Sequence, residues 1–371
     1  MTSGLSVALL TPRFWPEVTR GAERITHELA LGLAGRGHRP EIVTSHRGAP
    51  ARGTEQGIEV VRVPRMLEGR LVRREHEDFL GHVPFSYAAL LAGGYDVAQA
   101  VYPTDALAAA CWSRRRSRPA VLAWMGIPTR RWLVLRRGRA RMVQRAVHGC
   151  AAVTALSRTA ADAFGRELGV QARVIPPGVD LSLFTPGGER AAEPTIFCAA
   201  AIDSPQKRVG LLLAAFDRLR RDLPNARLVL AEPPDREVGE RLIRGRAGIE
   251  LRAVHDRPEL VRSYREAWVS ALPSVGEAFG LVLVESLACG TPVAGSALGA
   301  VPEVVDRDAI GRLFDEDGGE EALARALREA IELSEDPATA AACRERGEDF
   351  PAERPALEYE RLYEELLSGA E

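Results

Sequence analysis

The chain has 371 residues, of which 46% are hydrophobic and 27% charged, and its formal net charge is −2. This length suits two globular domains better than one, and the small net charge argues against a nucleic-acid partner. The five cysteines form no CxxC pair, and no apolar run reaches the ~18–20 residues of a membrane span, so we expect a cytoplasmic protein without disulfides or structural zinc.

The first half of the chain alternates short β-branched runs with helical patterns. Its opening residues predict a strand at 6–10 and lack the basic leader of a signal peptide. A helix over 22–36 is predicted from apolar residues spaced one helical turn apart. Further strands are predicted at 41–45, 59–63, 96–101, 120–124, 151–156 and 172–176. This order predicts a parallel sheet with helices on both faces.

A segment rich in proline and glycine, 174–194, interrupts this alternation of strands and helices and predicts an interdomain linker. Beyond it the alternation resumes, with strands predicted at 195–201, 227–231, 249–254, 268–273 and 291–296. The helices between and after them are predicted at 207–221, 235–246, 258–267, 279–289 and 352–367. The fold class is therefore α/β, with two tandem Rossmann-like doubly wound domains and a cleft between them.

The segment 272–292 predicts an anion site, because a strand, a glycine-rich turn and a helix follow one another there. The amides of Phe279, Gly280 and Leu281 would lie at the helix start and point at a phosphate, which the helix dipole also favours.

Two carboxylates flank this helix start: Glu277 in the turn and Glu285 eight residues later. A carboxylate suits a sugar because it accepts hydrogen bonds from neighbouring hydroxyl groups. The plain alternative for Glu285 is an exposed helix position. Its neighbours are apolar, however, and a buried carboxylate needs a partner, so we expect Glu285 to bind a ribose.

Lys207 is the only lysine among 49 basic residues, and it opens a predicted helix directly after a strand. A helix dipole disfavours a cation at that position, so an anion is expected beside Lys207 and its neighbour Arg208. The alternative is an ordinary surface cation. In the first domain, Arg20 and Gly21 open the helix after the first strand in a similar way, where a simple glycine turn is the alternative.

Two other clusters of charged residues are not predicted to be functional sites. The arginines between 114 and 145, with Trp132 to Leu135 beside them, favour a solvated helix face over contact with an anionic membrane. Asp315 and Asp317 lie in a polar turn outside the predicted cleft, and no metal site is expected.

The run PSVGEAFGLVLVESLACGTPVAGSALGAVPEVV (273–305) resembles the hallmark of retaining glycosyltransferases of the GT-B fold, in glycosyltransferase family 4. Glu277 and Glu285 match the paired glutamates of that family. Supporting segments are similar to the family's interdomain linker, to the strand and helix before it, and to its closing helix: 173–186, 151–164 and 350–367.

The resemblance implies an acceptor-binding domain, a nucleotide-sugar-binding domain and a C-terminal helix that crosses back to the first domain, with bounds at 1–180, 181–348 and 349–371. It implies catalytic roles at the leaving diphosphate and the donor sugar for Lys207, Arg208 and Glu277. It places the donor nucleotide at Glu285, Phe279, Gly280, Leu281 and Gly21, and the acceptor at Met125, Gly126 and Arg20. His255 follows the strand predicted at 249–254, and from that position we expect it to border the nucleotide base.

The expected activity is transfer of a hexose-type sugar from a nucleoside-diphosphate sugar to a small molecule, natural product, glycan or glycolipid, without a cofactor or metal. The family usually carries an arginine where this chain has Ile202 and a histidine where it has Met125. One alternative is a sugar-nucleotide epimerase of the same fold, which would need acid and base residues near the anomeric carbon, and Met125 argues against it. The other is a sugar-nucleotide-binding protein with impaired catalysis, which these departures permit.

Overall fold

The computed structural model describes residues 4–18, 20–65, 79–135, 138–254 and 256–369. The chain divides into two compact units. Unit 1 consists of Met1–Pro177 and Ala352–Glu371, and unit 2 of Gly178–Pro351. The first division falls inside the segment rich in proline and glycine at 174–194.

Unit 1 contains an eight-stranded sheet. Its strands are β1 (Ser6–Thr11), β2 (Arg39–His46), β3 (Ala51–Glu55), β4 (Ile58–Pro64), β5 (Val97–Ala100), β6 (Ala120–Ala123), β7 (Ala152–Ala155) and β8 (Arg173–Val174). They lie in the order β3-β4-β2-β1-β5-β6-β7-β8, and every pairing is parallel except that of β3 with β4. The sequence pattern does not predict β3, because its residues, ARGTE, are polar and mostly exposed.

Six helices of unit 1 connect these strands: α1 (Gly21–Gly35), α2 (Val83–Ala92), α3 (Pro103–Arg116), α4 (Arg130–Val134), α5 (Arg139–His148) and α6 (Arg158–Leu168). Helix α1 contributes to a core cluster with β1, and α3, α5 and α6 to a second cluster that also takes residues from β1. The alternation of buried side chains along β1 explains how one strand serves both clusters. In the described part of the chain, no helix is long and apolar enough to cross a bilayer.

Unit 2 contains a six-stranded, wholly parallel sheet. Its strands are β9 (Thr195–Cys198), β10 (Arg227–Ala231), β11 (Ile249–Arg252), β12 (Val269–Leu272), β13 (Val293–Ser296) and β14 (Gly311–Phe314). Its helices are α7 (Val209–Asp222), α8 (Arg236–Ile243), α9 (Arg257–Glu266), α10 (Leu281–Ala288), α11 (Val301–Val304), α12 (Gly319–Leu333) and α13 (Pro337–Glu348). Two doubly wound α/β sheets are thus present, and the predicted fold class is confirmed for each unit.

The last helix, α14 (Glu353–Ser368), belongs to unit 1 and packs on α1. The two helices approach closely at Gly32, where an added Cβ would lie 2.7 Å from the Cβ of Ala356. Two buried tyrosines of α14 also reach into the unit. Tyr359 shares a 2.8 Å hydrogen bond with the Thr154 hydroxyl, and the Tyr363 hydroxyl donates to Gln99 Oε1 at 2.6 Å.

Strand order places one switch point in each sheet, where chain connections leave in opposite directions. In unit 2 the sheet runs β11-β10-β9-β12-β13-β14, so β9 lies between β10 and β12, and the switch point is between β9 and β12. In unit 1 it is between β1 and β5. Loops at the carboxyl ends of such strands diverge and leave a crevice, which is where open α/β sheets bind ligands.

Candidate functional site

The loops after β9 and β12 meet at the switch point of unit 2. The Val275 amide donates to the Gln206 carbonyl at 3.0 Å, which joins the two loops through their backbones. Beside this bond, Lys207 Nζ donates to Glu277 Oε2 at 2.7 Å. The side chains of Lys207 and Glu277 are 27% and 17% exposed, so both remain reachable from solvent. The structure therefore brings together two of the three residues predicted to be catalytic.

Glu277 is also held from the opposite side, by the loop that follows β13. The Ala300 amide donates to the Glu277 carbonyl at 2.9 Å. Gly299 makes this approach possible: its φ is +65°, and an added Cβ would lie 2.7 Å from the Glu277 carbonyl oxygen. The backbone of Glu277 is thus fixed while its carboxylate faces Lys207.

Helix α10 begins at Leu281, two residues later than predicted. Gly280 is the residue before the helix, with φ +97°, and its carbonyl accepts from the Leu283 amide at 2.8 Å. By position, the amides of Leu281 and Val282 lie in this first turn, where a helix supplies no carbonyl partner, and they can donate to an anion. Phe279 lies outside the helix, and its ring packs edge-on against Phe350 at 5.3 Å, which corrects the predicted start at 279.

Glu285 lies on the buried side of α10, so its alternative as an exposed helix position is wrong. Its Oε2 accepts a 2.9 Å hydrogen bond from the hydroxyl of Tyr264, on α9. A ribose is the partner that the sequence predicts for this carboxylate, and Tyr264 is a protein partner that the sequence does not predict. No sequence signal marked Tyr264, because α9 and α10 meet only through the tertiary fold. Binding of a ribose by Glu285 stays a prediction.

Arg208 lies beside Lys207 but points to a different carboxylate. Its φ is +50°, it precedes α7, and its guanidinium donates to Glu316 Oε1 at 2.8 Å. Glu316 follows β14, a strand that the sequence analysis did not predict. The neighbouring Asp315 caps a short 3-10 helix by accepting from the Asp317 amide at 3.2 Å. In the described residues, no group of three or more His, Cys, Asp or Glu side chains could hold a metal.

In unit 1, Arg20 and Gly21 lie at the start of α1, directly after the β1 loop. The Arg20 amide donates to Glu23 Oε2 at 3.0 Å, and burial raises the pKa of the Glu23 carboxyl. Gly21 is exposed, and a Cβ added there would meet nothing within 4 Å. The residues that the structure describes therefore give no steric reason for a glycine at position 21.

Met125 and Gly126 follow β6, at the same carboxyl edge of the unit 1 sheet as the start of α1. Both are half-buried, and a Cβ added to Gly126 would lie 3.2 Å from Trp124 Nε1. Binding of an acceptor by Arg20, Met125 and Gly126 stays a prediction. His255, expected near the nucleotide base, lies outside the described residues.

Comparison with protein families identifies the class. Residues 185–350 match the model described as glycosyl transferases group 1, and residues 19–183 match glycosyltransferase family 4. Together the two matches account for most of the chain. The chain belongs to this glycosyltransferase family and has the GT-B fold, as the run 273–305 predicts.

Individual relatives agree with this class. The D-inositol 3-phosphate glycosyltransferase of Mycobacterium sp. (strain JLS) is 36% identical over 162 residues, which cover 38% of this chain and 35% of that relative. Two solved structures share the fold. Sucrose-phosphate synthase from Thermosynechococcus elongatus has a TM-score of 0.81 at 22% identity, over 98% of this chain and 100% of its own. Anabaena HepE in complex with UDP-glucose has a TM-score of 0.76 at 19% identity, over the same shares.

Proposed function

We propose that the chain transfers a hexose-type sugar from a nucleoside-diphosphate sugar to an acceptor hydroxyl, with retention of the anomeric configuration. The Lys207–Glu277 pair beside the start of α10 carries this proposal. A fixed cation, a carboxylate and helix-start amides at a switch point suit a diphosphate joined to a sugar. The name of the HepE complex, which contains UDP-glucose, supports this donor class, and that of the mycobacterial relative supports glycosyl transfer.

In this proposal each group has a separate task. The Lys207 ammonium has three N–H donors, so it can keep its bond to Glu277 and also contact a diphosphate oxygen. Glu277 accepts from hydroxyls of the donor sugar, and the amides of Leu281 and Val282 bind a phosphate at the positive end of α10. Glu285 accepts from the ribose hydroxyls.

The reaction needs no covalent enzyme intermediate. The bond between the anomeric carbon and the diphosphate oxygen breaks, and the acceptor oxygen forms its bond on the same face of the sugar. The acceptor proton passes to the departing diphosphate oxygen. The protein then contributes positioning and charge stabilisation, which are largest when the site is organised before the reaction starts. Neither a metal nor a cofactor takes part in the proposed step.

The experiment is incubation of the full chain with UDP-, GDP-, ADP- and dTDP-glucose and a panel of acceptors. Release of nucleoside diphosphate and formation of a glycoside are followed by mass spectrometry, and the anomeric configuration by NMR. The matched control is Glu277→Gln, which keeps the shape of the side chain and removes its charge. An inverted product would overturn retention. Conversion of the donor sugar without nucleotide release would indicate the epimerase, and binding of a donor without turnover the impaired binding protein.

A further inference from the structure

Arginines are unevenly distributed along the chain. Residues 106–161, all in unit 1, include twelve arginines and no aspartate or glutamate, although the whole chain has a net charge of −2. In unit 2, by contrast, arginines lie against carboxylates. Arg227 Nη2 lies 2.9 Å from Glu250, and Arg252 Nη1 lies 2.7 Å from Glu266. Arginines and carboxylates therefore pair on the surface of unit 2. The segment 106–161 supplies no carboxylate of its own, and its Arg118 lies 3.8 Å from Asp96, outside the segment.

Helix α5 presents the unmixed charge to solvent. Its buried side is apolar, with Val143 and Val147 in the unit 1 core. Its outer side carries exposed Arg141, Arg145 and His148. Neither arginine forms an ion pair with a carboxylate of the described residues. Arg141 and Arg145 thus place two cations on the outer side of α5 without carboxylate partners among the described residues.

The end of α4, a helix that packs on α5, carries exposed apolar side chains. Val134 and Leu135 are each 67% exposed, more than any other large apolar side chain in the described ranges. Leu133 is buried in the core and anchors the helix. Arg139 fixes α4 to α5, since its Nη1 donates to the Trp132 carbonyl at 2.7 Å and its guanidinium lies 4.7 Å from the centre of the Trp132 ring.

We propose that these two helices bind an anionic lipid bilayer. The surface, which we call the arginine face, consists of Arg130, Arg131, Val134, Leu135, Arg141 and Arg145. Anionic headgroups supply the missing counter-charges, and the acyl boundary buries the two apolar side chains. A solvated helix face, favoured from the sequence alone, accounts for the arginines but not for exposed Val134 and Leu135. A nucleic-acid backbone would likewise leave both apolar side chains in water.

The test is co-sedimentation of the full chain with vesicles of phosphatidylcholine alone or of equal parts phosphatidylcholine and phosphatidylglycerol. We expect binding to the anionic vesicles only, and weaker binding at high ionic strength. Arg141→Gln/Arg145→Gln should lower the partition coefficient by about fivefold for each charge removed. Val134→Ser/Leu135→Ser should lower the binding that persists at high ionic strength.

Matched controls separate this face from general surface properties. Arg325→Gln/Arg361→Gln removes two exposed arginines elsewhere, and Leu31→Ser removes an apolar side chain that is 43% exposed on α1. Both controls should bind like the parent, and thermal melting should show that every variant is folded. Equal binding to neutral vesicles, or equal loss in the controls, would overturn the proposal. So would displacement by a single-stranded oligonucleotide together with wild-type binding of Val134→Ser/Leu135→Ser.

Discussion

Removal of the Lys207 ammonium is the sharpest test of the proposed donor site. The leaving diphosphate gains negative charge as the glycosidic bond breaks, so a fixed cation stabilises the transition state more than the bound donor. One charge about 4 Å away contributes about 4 kcal/mol at an effective dielectric constant of about 20. Lys207 is 27% exposed, and solvent screening reduces this value to about 2–3 kcal/mol. Lys207→Ala should therefore lower kcat by about 10²-fold.

Steady-state kinetics with detection of released nucleoside diphosphate measure this effect. We expect a large fall in kcat and a small change in KM for the donor. Lys207→Arg should rescue only part of kcat, because a planar guanidinium does not replace a compact ammonium. Since Lys207→Ala also leaves Glu277 without its 2.7 Å partner, the double variant Lys207→Ala/Glu277→Gln completes a cycle that isolates the coupling between the two residues.

Arg208 provides the matched comparison. Its guanidinium is held by Glu316 at 2.8 Å, so Arg208→Ala should lower kcat much less than Lys207→Ala. The left-handed backbone at position 208 does not confuse the comparison, because alanine and arginine both carry a Cβ and meet the same strain. Near wild-type turnover in Lys207→Ala, with collapse in Arg208→Ala, would refute the assignment of the counter-charge to Lys207.

Four further predictions concern the same two units. Glu285→Ala should weaken nucleotide-sugar affinity in calorimetry by about 1–3 kcal/mol, whereas Tyr264→Phe, which removes one hydrogen bond to that carboxylate, should not. Unchanged affinity in Glu285→Ala would remove this residue from the ribose site. Turnover should persist in EDTA, and complete loss that Mg²⁺ restores would contradict metal independence. Gly21→Ala should raise the donor KM without lowering Tm, because the added Cβ has no described atom within 4 Å and a bound donor would be its neighbour; an unchanged KM would exclude close approach of the donor there. Burial raises the pKa of Glu23 above its ordinary value of 4.5, so the folded chain keeps this proton longer and stability falls as pH rises between the two values. Glu23→Gln should remove that slope from urea unfolding measured across pH, and an unchanged slope would refute this source.

Much of the fold could be predicted because buried parallel strands are continuous apolar runs. The strand predicted at 227–231 has the observed bounds of β10, and α14 begins within one residue of its prediction. Two strands were not predicted from the sequence, and each has a physical reason. β3 is a polar strand at the edge of the sheet, paired with β4 in a hairpin. β14, GRLF, has only four residues and mixes polar with apolar side chains, so it lacks the apolar run of a buried strand.

The sequence predicts those residues of the candidate site that lie in a loop after a strand or at the start of a helix. Lys207 and Glu277 were both identified from their positions after strands, although 70 residues separate them, because the strand order makes those loops neighbours. Glu316 and Tyr264 were missed, since each reaches the site through a tertiary contact that no local pattern records. The late start of α10 follows from Gly280, whose left-handed backbone does not extend a helix.

The return of α14 to unit 1 has a consequence for the order in which the protein is made. Unit 1 is interrupted by the whole of unit 2, so its core cannot be completed on the ribosome until α14 emerges. Until then the amide of Gln99 and the hydroxyl of Thr154 lack the tyrosines that cover them in the finished core. Unit 2, which is continuous in sequence, can fold first. Helix α14 then completes the core of unit 1, the unit whose synthesis began earlier.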